Sequence, residues 1–254
     1  MKLSACFFTH NELPFLRISI AYAMQWADQI CVLDMASNDG TREYCETALR
    51  HGDVYQRRRT NTVTELGFGE ARTAAARLAD GDWIVSLDAD YILNWADADL
   101  IRPWLEEHSP EFTAHKTFYV DHYKRDDEAS FAWEMAHQRD QVQGNPLVQH
   151  VRIFRNDPRF SFTGYIHEEL CLDGVNYSSH AAGAVMSMLH FGCLKPKAMA
   201  RAADTRKYYM MHRLIGEPHL RTGINEYWWT AFAQENRDKL EYAARMFEAG
   251  RTML

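Results

Sequence analysis

Asp88 and Asp90 close the run Trp83-Ile84-Val85-Ser86-Leu87-Asp88-Ala89-Asp90. The apolar residues before them read as a buried strand, and residues two apart in a strand point the same way, so the run delivers two carboxylates together. Paired acids in a crevice repel one another and resist desolvation unless a cation compensates them. Mn²⁺ or Mg²⁺ does this with carboxylate oxygens and completes its shell with substrate phosphates and water. Alone, Asp-x-Asp is a weak sign, because acids are common in loops.

Other residues of reactive type fall in short polar breaks between apolar runs: Thr9-His10-Asn11-Glu12, Asp34 to Thr41 with Asp39 inside it, Arg72, the pair Glu168-Glu169, and His190. Each has a plainer reading. Asp39-Gly40 suits a turn, Asp34 suits a helix cap, and a lone histidine is often a satisfied core residue. Arg57-Arg58-Arg59 suits a solvated face, and Trp228-Trp229 suits a core or a wall against which a sugar stacks. The joint pattern carries the functional reading.

The elements that must position these groups follow from periodicity. Leu3–Phe8 reads as a strand. Pro14 suits the first turn of a helix continued by Leu16, Ile20 and Ala23 at helical spacing. Gln29–Leu33 and Val54–Gln56 read as strands on either side of a helix through Tyr44–Leu49. Arg72–Ala79 is helical, and Asp80-Gly81-Asp82 turns into the strand that ends at the acidic pair. This alternation predicts an α/β fold with a mostly parallel sheet. Ligands in such sheets sit beyond the carboxyl ends of the strands, which brings residues 9–12, 34–41 and 88–90 to one edge. Later, Phe112–Tyr123, Val148–Phe154 and Ala184–Leu189 read as strands, and Ala198–Ile215, Asn225–Arg237 and Lys239–Phe247 as helices. The expected division is a catalytic domain over 1–194, with halves 1–95 and 96–194, and a helical extension over 195–254.

Bulk properties narrow the classes. With 254 residues, 46% hydrophobic and 25% charged, the chain has an ordinary globular composition. The net charge of −7 divides into −11 before Phe191 and +4 from there on, which argues against sequence-independent binding to a phosphate backbone. The five cysteines form no Cys-x-x-Cys pair, so free thiols are expected rather than a zinc or dithiol site. The early polar break at Thr9–Glu12 argues against a secretory signal, and no run approaches the roughly 20 apolar residues of a membrane span. A cytoplasmic location is expected. No P-loop is present, and Gly67-Phe68-Gly69 lacks the third glycine of a dinucleotide fingerprint.

Several ordered segments resemble those of family 2 glycosyltransferases of the GT-A fold. They are Leu3–Glu12, Val32-Leu33-Asp34-Met35-Ala36-Ser37-Asn38-Asp39-Gly40-Thr41, Gly69-Glu70-Ala71-Arg72 with Gly81-Asp82-Trp83, and the Asp-x-Asp strand. Further on come Arg152-Ile153-Phe154-Arg155-Asn156, Gly164-Tyr165-Ile166-His167-Glu168 and Met188-Leu189-His190. The chain has Arg72-Thr73 where the family often has Arg-Asn, and Asn38 where Ser or Thr is commoner.

The resemblance implies a Rossmann-type GT-A sandwich and an inverting, metal-dependent transfer from a nucleotide sugar, with UDP the expected nucleotide. It implies nucleotide contacts from Thr9, Asn11, Glu12, Asp39, Arg72 and Asp88, a Mn²⁺ or Mg²⁺ site of Asp88, Asp90 and His190, and Glu168 as catalytic base. The acceptor hydroxyl stays open among glycan, lipid, protein, small molecule and modified nucleic acid. Two other readings stay open as well. A sugar nucleotidyltransferase would want a Gly-rich basic loop where Glu12 stands, and a non-catalytic nucleotide-sugar-binding module would not need Asp88, Asp90, Glu168 and His190.

Overall fold

The computed structural model describes residues 1–108, 114–121, 149–191, 195, 197–221, 224 and 226–249. The first half alternates as the periodicity predicts: β1 Leu3–Thr9, α1 Leu13–Ala23, β2 Gln29–Asp34, α2 Thr41–Ala48 and β3 Val54–Arg57. A single-turn α3, Val63–Leu66, then leads into α4, Phe68–Ala76, and β4, Trp83–Asp88. Pro14 lies in the first turn of α1, where its missing N–H leaves no helical bond unmade.

The middle of the chain holds β5 Tyr91–Leu93, α5 Trp95–Ala98, α6 Ile101–His108, β6 Ala114–Asp121 and β7 Gln149–Arg155. After it come β8 Phe160–Thr163, β9 Glu169–Leu172, β10 Val175–Asn176 and β11 Ala182–His190. The helical end consists of α7 Lys197–Gly216, a 3₁₀ turn at Pro218–Arg221, α8 Glu226–Glu235 and α9 Arg237–Glu248. Of the strand expected over 112–123, residues 112, 113, 122 and 123 lie outside the described residues.

The described residues form one sheet in the order β3-β2-β1-β4-β7-β6-β11-β5, and a small second sheet in the order β10-β9-β8. Pairing is parallel through β3, β2, β1 and β4, and again between β6 and β11. It is antiparallel on both sides of β7 and at the β5 edge. The α/β class with a mostly parallel sheet is thus what folds. Strands β1, β2 and β4 are buried along nearly their whole length, as strands covered on both faces require. Leu16 and Ile20 of α1 pack with Phe7, Trp83, Val85 and Leu87 in one core.

The helical end shares a core with residues of β2, α4 and the 165–166 segment. Met210, Met211 and Leu214 of α7, Trp229 of α8 and Leu240 of α9 cluster with Leu33, Met35, Ala71, Ala75 and Ile166. Trp229 is thereby a core residue, while the side chain of Trp228 lies outside the described ones.

Close approach explains two glycines. Gly67 has φ +91°, and a Cβ there would stand 2.6 Å from Tyr165 Cα; one on Gly69 would stand 2.8 Å from the Gly164 carbonyl oxygen. Without those methyls, Phe68 N–H donates to Tyr165 O and Gly69 N–H to Gly164 O. The first turn of α4 is therefore clamped to the segment that carries Glu168. The fingerprint-like glycines serve packing.

Candidate active site

A cavity of about 700 Å³ opens at the carboxyl ends of β1, β4 and β11. Thr9 and Glu12, Arg72, Asp88 and Asp90, Glu168, and His190 all line it, as do Arg152, Lys195 and Arg206. The charged groups sort into two clusters.

The first cluster is centred on Arg72, whose side chain is 2% exposed. Its guanidinium donates to Glu168 Oε1 through Nε at 2.8 Å, to Ser86 Oγ at 3.1 Å and to Asp88 Oδ1 at 2.6 Å. Ser86 and Asp88 lie two apart on β4, hence on one face, and a single planar fork reaches both. The rings of Phe8 and Phe162 lie 5.0 and 5.5 Å from the guanidinium carbon. Arg152 of β7 adds a second guanidinium, 3.6 Å from Asp88 Oδ2 and 3.8 Å from Glu168 Oε1. Burial opposes the charge on Asp88, but Arg72 and Arg152 outweigh it and hold its pKa below the ordinary value.

The second cluster is centred on Asp90. The strand ends at Asp88, and Ala89-Asp90 form a turn into β5, so the two aspartates do not emerge side by side as strict alternation predicts. Asp90 Oδ2 faces His190 Nε2 at 3.3 Å and Lys195 Nζ at 2.9 Å. The same ammonium donates to Glu12 Oε1 at 2.6 Å. Burial works against the Asp90 carboxylate, yet Lys195 and His190 keep its pKa well below the usual range. Glu12 is pushed the other way, chiefly by burial and by the nearby charge of Asp90, against the pull of Lys195. Burial drives the pKa of Lys195 down, and the two carboxylates more than restore it. Arg206 of α7 faces Glu12 and His10 from the opposite wall, and its pKa is lowered by burial.

Asn11 and Asp39 do not line the cavity. Asn11 adopts φ +55°, a conformation asparagine tolerates. Its N–H donates to Ser37 Oγ, and its Oδ1 accepts from Asn38 N–H. Asp39 accepts from Leu13 N–H at 2.9 Å, and from Thr41 N–H and Oγ1 at 3.2 and 2.6 Å. The two residues stitch the loop after β1 to the loop after β2, and Asp39 satisfies first-turn N–H groups of both α1 and α2. Asp34, fully buried, accepts from Ser37 N–H and the Tyr55 hydroxyl and so braces the same loop. Thr9 lines the cavity, and its buried Oγ1 has no hydrogen-bond partner among the described residues.

Glu168 and Glu169 part company at a bend rather than by simple alternation. His167 has φ +55° and Gly164 φ +113°, and the extended backbone of β9 begins only at Glu169. Glu168 turns to Arg72 and Arg152. Glu169 Oε2 accepts from Ser178 Oγ at 2.6 Å and Asn176 Nδ2 at 3.3 Å, on the outer hairpin.

As a metal seat, Asp90 Oδ2 and His190 Nε2 supply an oxygen and an imidazole nitrogen on the cavity wall, a donor pair compatible with Mn²⁺ or Mg²⁺. Among the described residues no group of three His, Cys, Asp or Glu side chains is arranged to hold an ion by itself. The donor set therefore suits an ion that keeps water and shares phosphate oxygens. Asp88 lies apart, with both oxygens against guanidiniums.

Sequence reasoning gave no role to Lys195, Arg206, Arg152 or His10, although His10 and Arg152 stand in segments it quoted. Arg152 had a usable signal, a charge inside the apolar strand Val151-Arg152-Ile153-Phe154, which burial tolerates only with an ionic partner. Lys195 had none, since it stands in a segment without periodicity between a strand and a helix.

The chain is 26% identical over 170 residues to a TPR repeat-containing protein of Synechococcus elongatus, covering 66% of this chain and 35% of that one. It thus spans about a third of that relative's length. Among solved structures it is similar to S. aureus TarS 1-349, at 15% identity and TM-score 0.46 over 84% of this chain and 64% of that one. It is also similar to the mannosyltransferase PcManGT of Pyrobaculum calidifontis, solved with GDP-Man and Mn²⁺, at 16% identity and TM-score 0.46 over 100% of this chain and 76% of that one. The model of the family described as "Glycosyl transferase family 2" matches residues 4–159, which include β1, β4 and the arginines of the first cluster. The chain belongs to glycosyl transferase family 2.

Proposed function

We propose that this chain moves a sugar from a nucleotide-diphosphate sugar, with UDP the preferred nucleotide, to an acceptor hydroxyl with inversion at the anomeric carbon. The observation that carries the reading is the convergence of Asp90, His190, Glu12, Asp88 and Glu168 on one cavity at the strand ends of a family 2 chain. Asp90 and His190 are the residues that would hold Mn²⁺ or Mg²⁺, which when bound neutralises charge on the departing diphosphate. Asp88, pinned by Arg72 and Arg152, would serve the ribose or the ion from beside them.

Thr9 lines the cavity at the end of β1, where the nucleoside would lie. Asn11 and Asp39 contribute by fixing the two loops that frame the nucleoside. Arg72 and Arg152 orient the Glu168 carboxylate through Oε1, and its second oxygen takes the acceptor hydroxyl's proton as the new bond forms. Arg206 and Lys207 on α7 face the same space and favour the negative charge of a diphosphate.

The test is a donor screen by thermal shift with Mn²⁺ present, followed by turnover in EDTA and in Asp90→Asn. UDP with Mn²⁺ should raise Tm, and both EDTA and Asp90→Asn should abolish turnover while the fold persists. Full turnover in either condition overturns the metal assignment.

A further inference from the structure

Glu12 and Asp90 come from the ends of two adjacent parallel strands, and they aim at one point. Glu12 Oε1 and Asp90 Oδ2 lie 2.6 and 2.9 Å from a single atom, Lys195 Nζ. His190 Nε2 approaches the same Asp90 oxygen at 3.3 Å. Two carboxylate oxygens converging on one centre, with an imidazole nitrogen beside one of them, is an arrangement that favours a cation. In the free protein that centre holds the chain's own ammonium, and Lys195 is only 12% exposed there.

We infer that Lys195 is a tethered cation that closes the metal seat, so that a divalent ion enters only by displacing the ammonium from Asp90. This rests on the metal reading given under Proposed function. Two positive charges cannot share one carboxylate oxygen at contact distance without strong repulsion. Removing the ammonium with nothing in its place leaves Glu12 and Asp90 facing each other, and burial makes that pair unfavourable. The exchange becomes favourable when a diphosphate arrives, because its oxygens give the incoming ion further ligands and the displaced ammonium a new anion. Metal and nucleotide therefore bind with positive coupling, and the lysine is the origin of that coupling. Arg206 of α7 lines the same cavity and its charge acts on Glu12, so Glu12 keeps a cation within reach.

The experiment measures Mn²⁺ binding by the electron paramagnetic resonance signal of free Mn²⁺, with and without UDP, on the full chain. Wild type should bind Mn²⁺ weakly alone and much more tightly with UDP. Lys195→Met and Lys195→Gln should each bind Mn²⁺ alone at least about fivefold more tightly than wild type, the lower end of couplings between sites. The enhancement by UDP should shrink by a similar factor. Lys195→Arg, which keeps a cation, should behave as wild type.

Circular dichroism melts check that each variant is folded, and the Gln and Met variants stand in for one another if either fails. Unchanged Mn²⁺ affinity in a folded, neutral variant overturns the inference and leaves the metal reading intact. If wild type binds no Mn²⁺ even with UDP, both fall together.

Discussion

Arg72 organises the site more than either acid that a motif search would select. One guanidinium bonds Glu168, Ser86 and Asp88, so the carboxylate from the 164–168 turn and the one from β4 keep a fixed separation. The neighbouring acids then divide by partner. Glu168→Gln keeps volume and hydrogen bonding but cannot take a proton, and should lower turnover by about 10²–10⁴-fold with little change in donor affinity. Glu169→Gln should leave turnover nearly unchanged, because Glu169 is engaged with Ser178 and Asn176 on the outer hairpin. Steady-state kinetics of the two variants decides, and a reversed pattern would move the base to Glu169. Of the acids legible in the sequence, Glu12, Asp88 and Asp90 follow apolar strands and line the cavity, whereas Asp39, in the loop after β2, does not. Who pairs with whom was not legible, because Arg72 and Arg152 join the acids across long stretches of chain that periodicity cannot bridge.

At the scale of elements, the clamp between α4 and the 164–165 backbone sets where Arg72 points. Gly67→Ala would place a methyl 2.6 Å from Tyr165 Cα at φ +91°. The combined strain and overpacking should cost about 2–5 kcal/mol. At roughly 2–4 °C per kcal/mol for a chain of this size, a thermal melt would show the loss plainly, and an unchanged Tm would contradict the clamp. Strand–helix alternation made β1, α1, β2, α2, β3 and β4 readable almost to their ends. It missed β5, β8, β9 and β10, which run two to four residues. Pieces that short show no period, and pairing with distant strands fixes them. The helix read from Arg72 starts four residues earlier, at Phe68, because Gly67 and Gly69 look like loop residues until the segment they pack against is known.

Across the whole molecule, the cavity takes its lining from both ends of the chain: Phe8, Thr9, His10 and Glu12 from one, and Ala203, Arg206 and Lys207 of α7 from the other. The helices after residue 195, read as helices but outside every segment of the family resemblance, supply Arg206 and Lys207 and share a core with Leu33, Met35 and Ile166. The described cysteines, Cys6, Cys31, Cys45 and Cys171, are buried free thiols as expected. Burial, with Asp34 and Asp39 nearby, pushes the Cys45 thiol up to about 12, so at pH 8 only about 10⁻⁴ of it is the nucleophilic thiolate. Disulfide-exchange labelling followed by peptide mass spectrometry should find Cys45 protected in native protein and readily labelled in urea. Equal rates in both states would refute the packing of α2 on the sheet.

The antiparallel entry of β7 beside β4 has a consequence during synthesis. Trp83 pairs with Arg155 and Val85 with Ile153, so the flank of β4 is finished by a segment the ribosome delivers much later. Until then the nascent chain presents Trp83-Ile84-Val85-Ser86-Leu87 as an open strand edge, apolar and without Pro or Lys to discourage another chain from docking there. Closing so long a loop is slow relative to forming local contacts. The early half of this chain therefore stands exposed to self-association until its later strands emerge, and a chaperone that shields the β4 edge should raise the yield of folded protein.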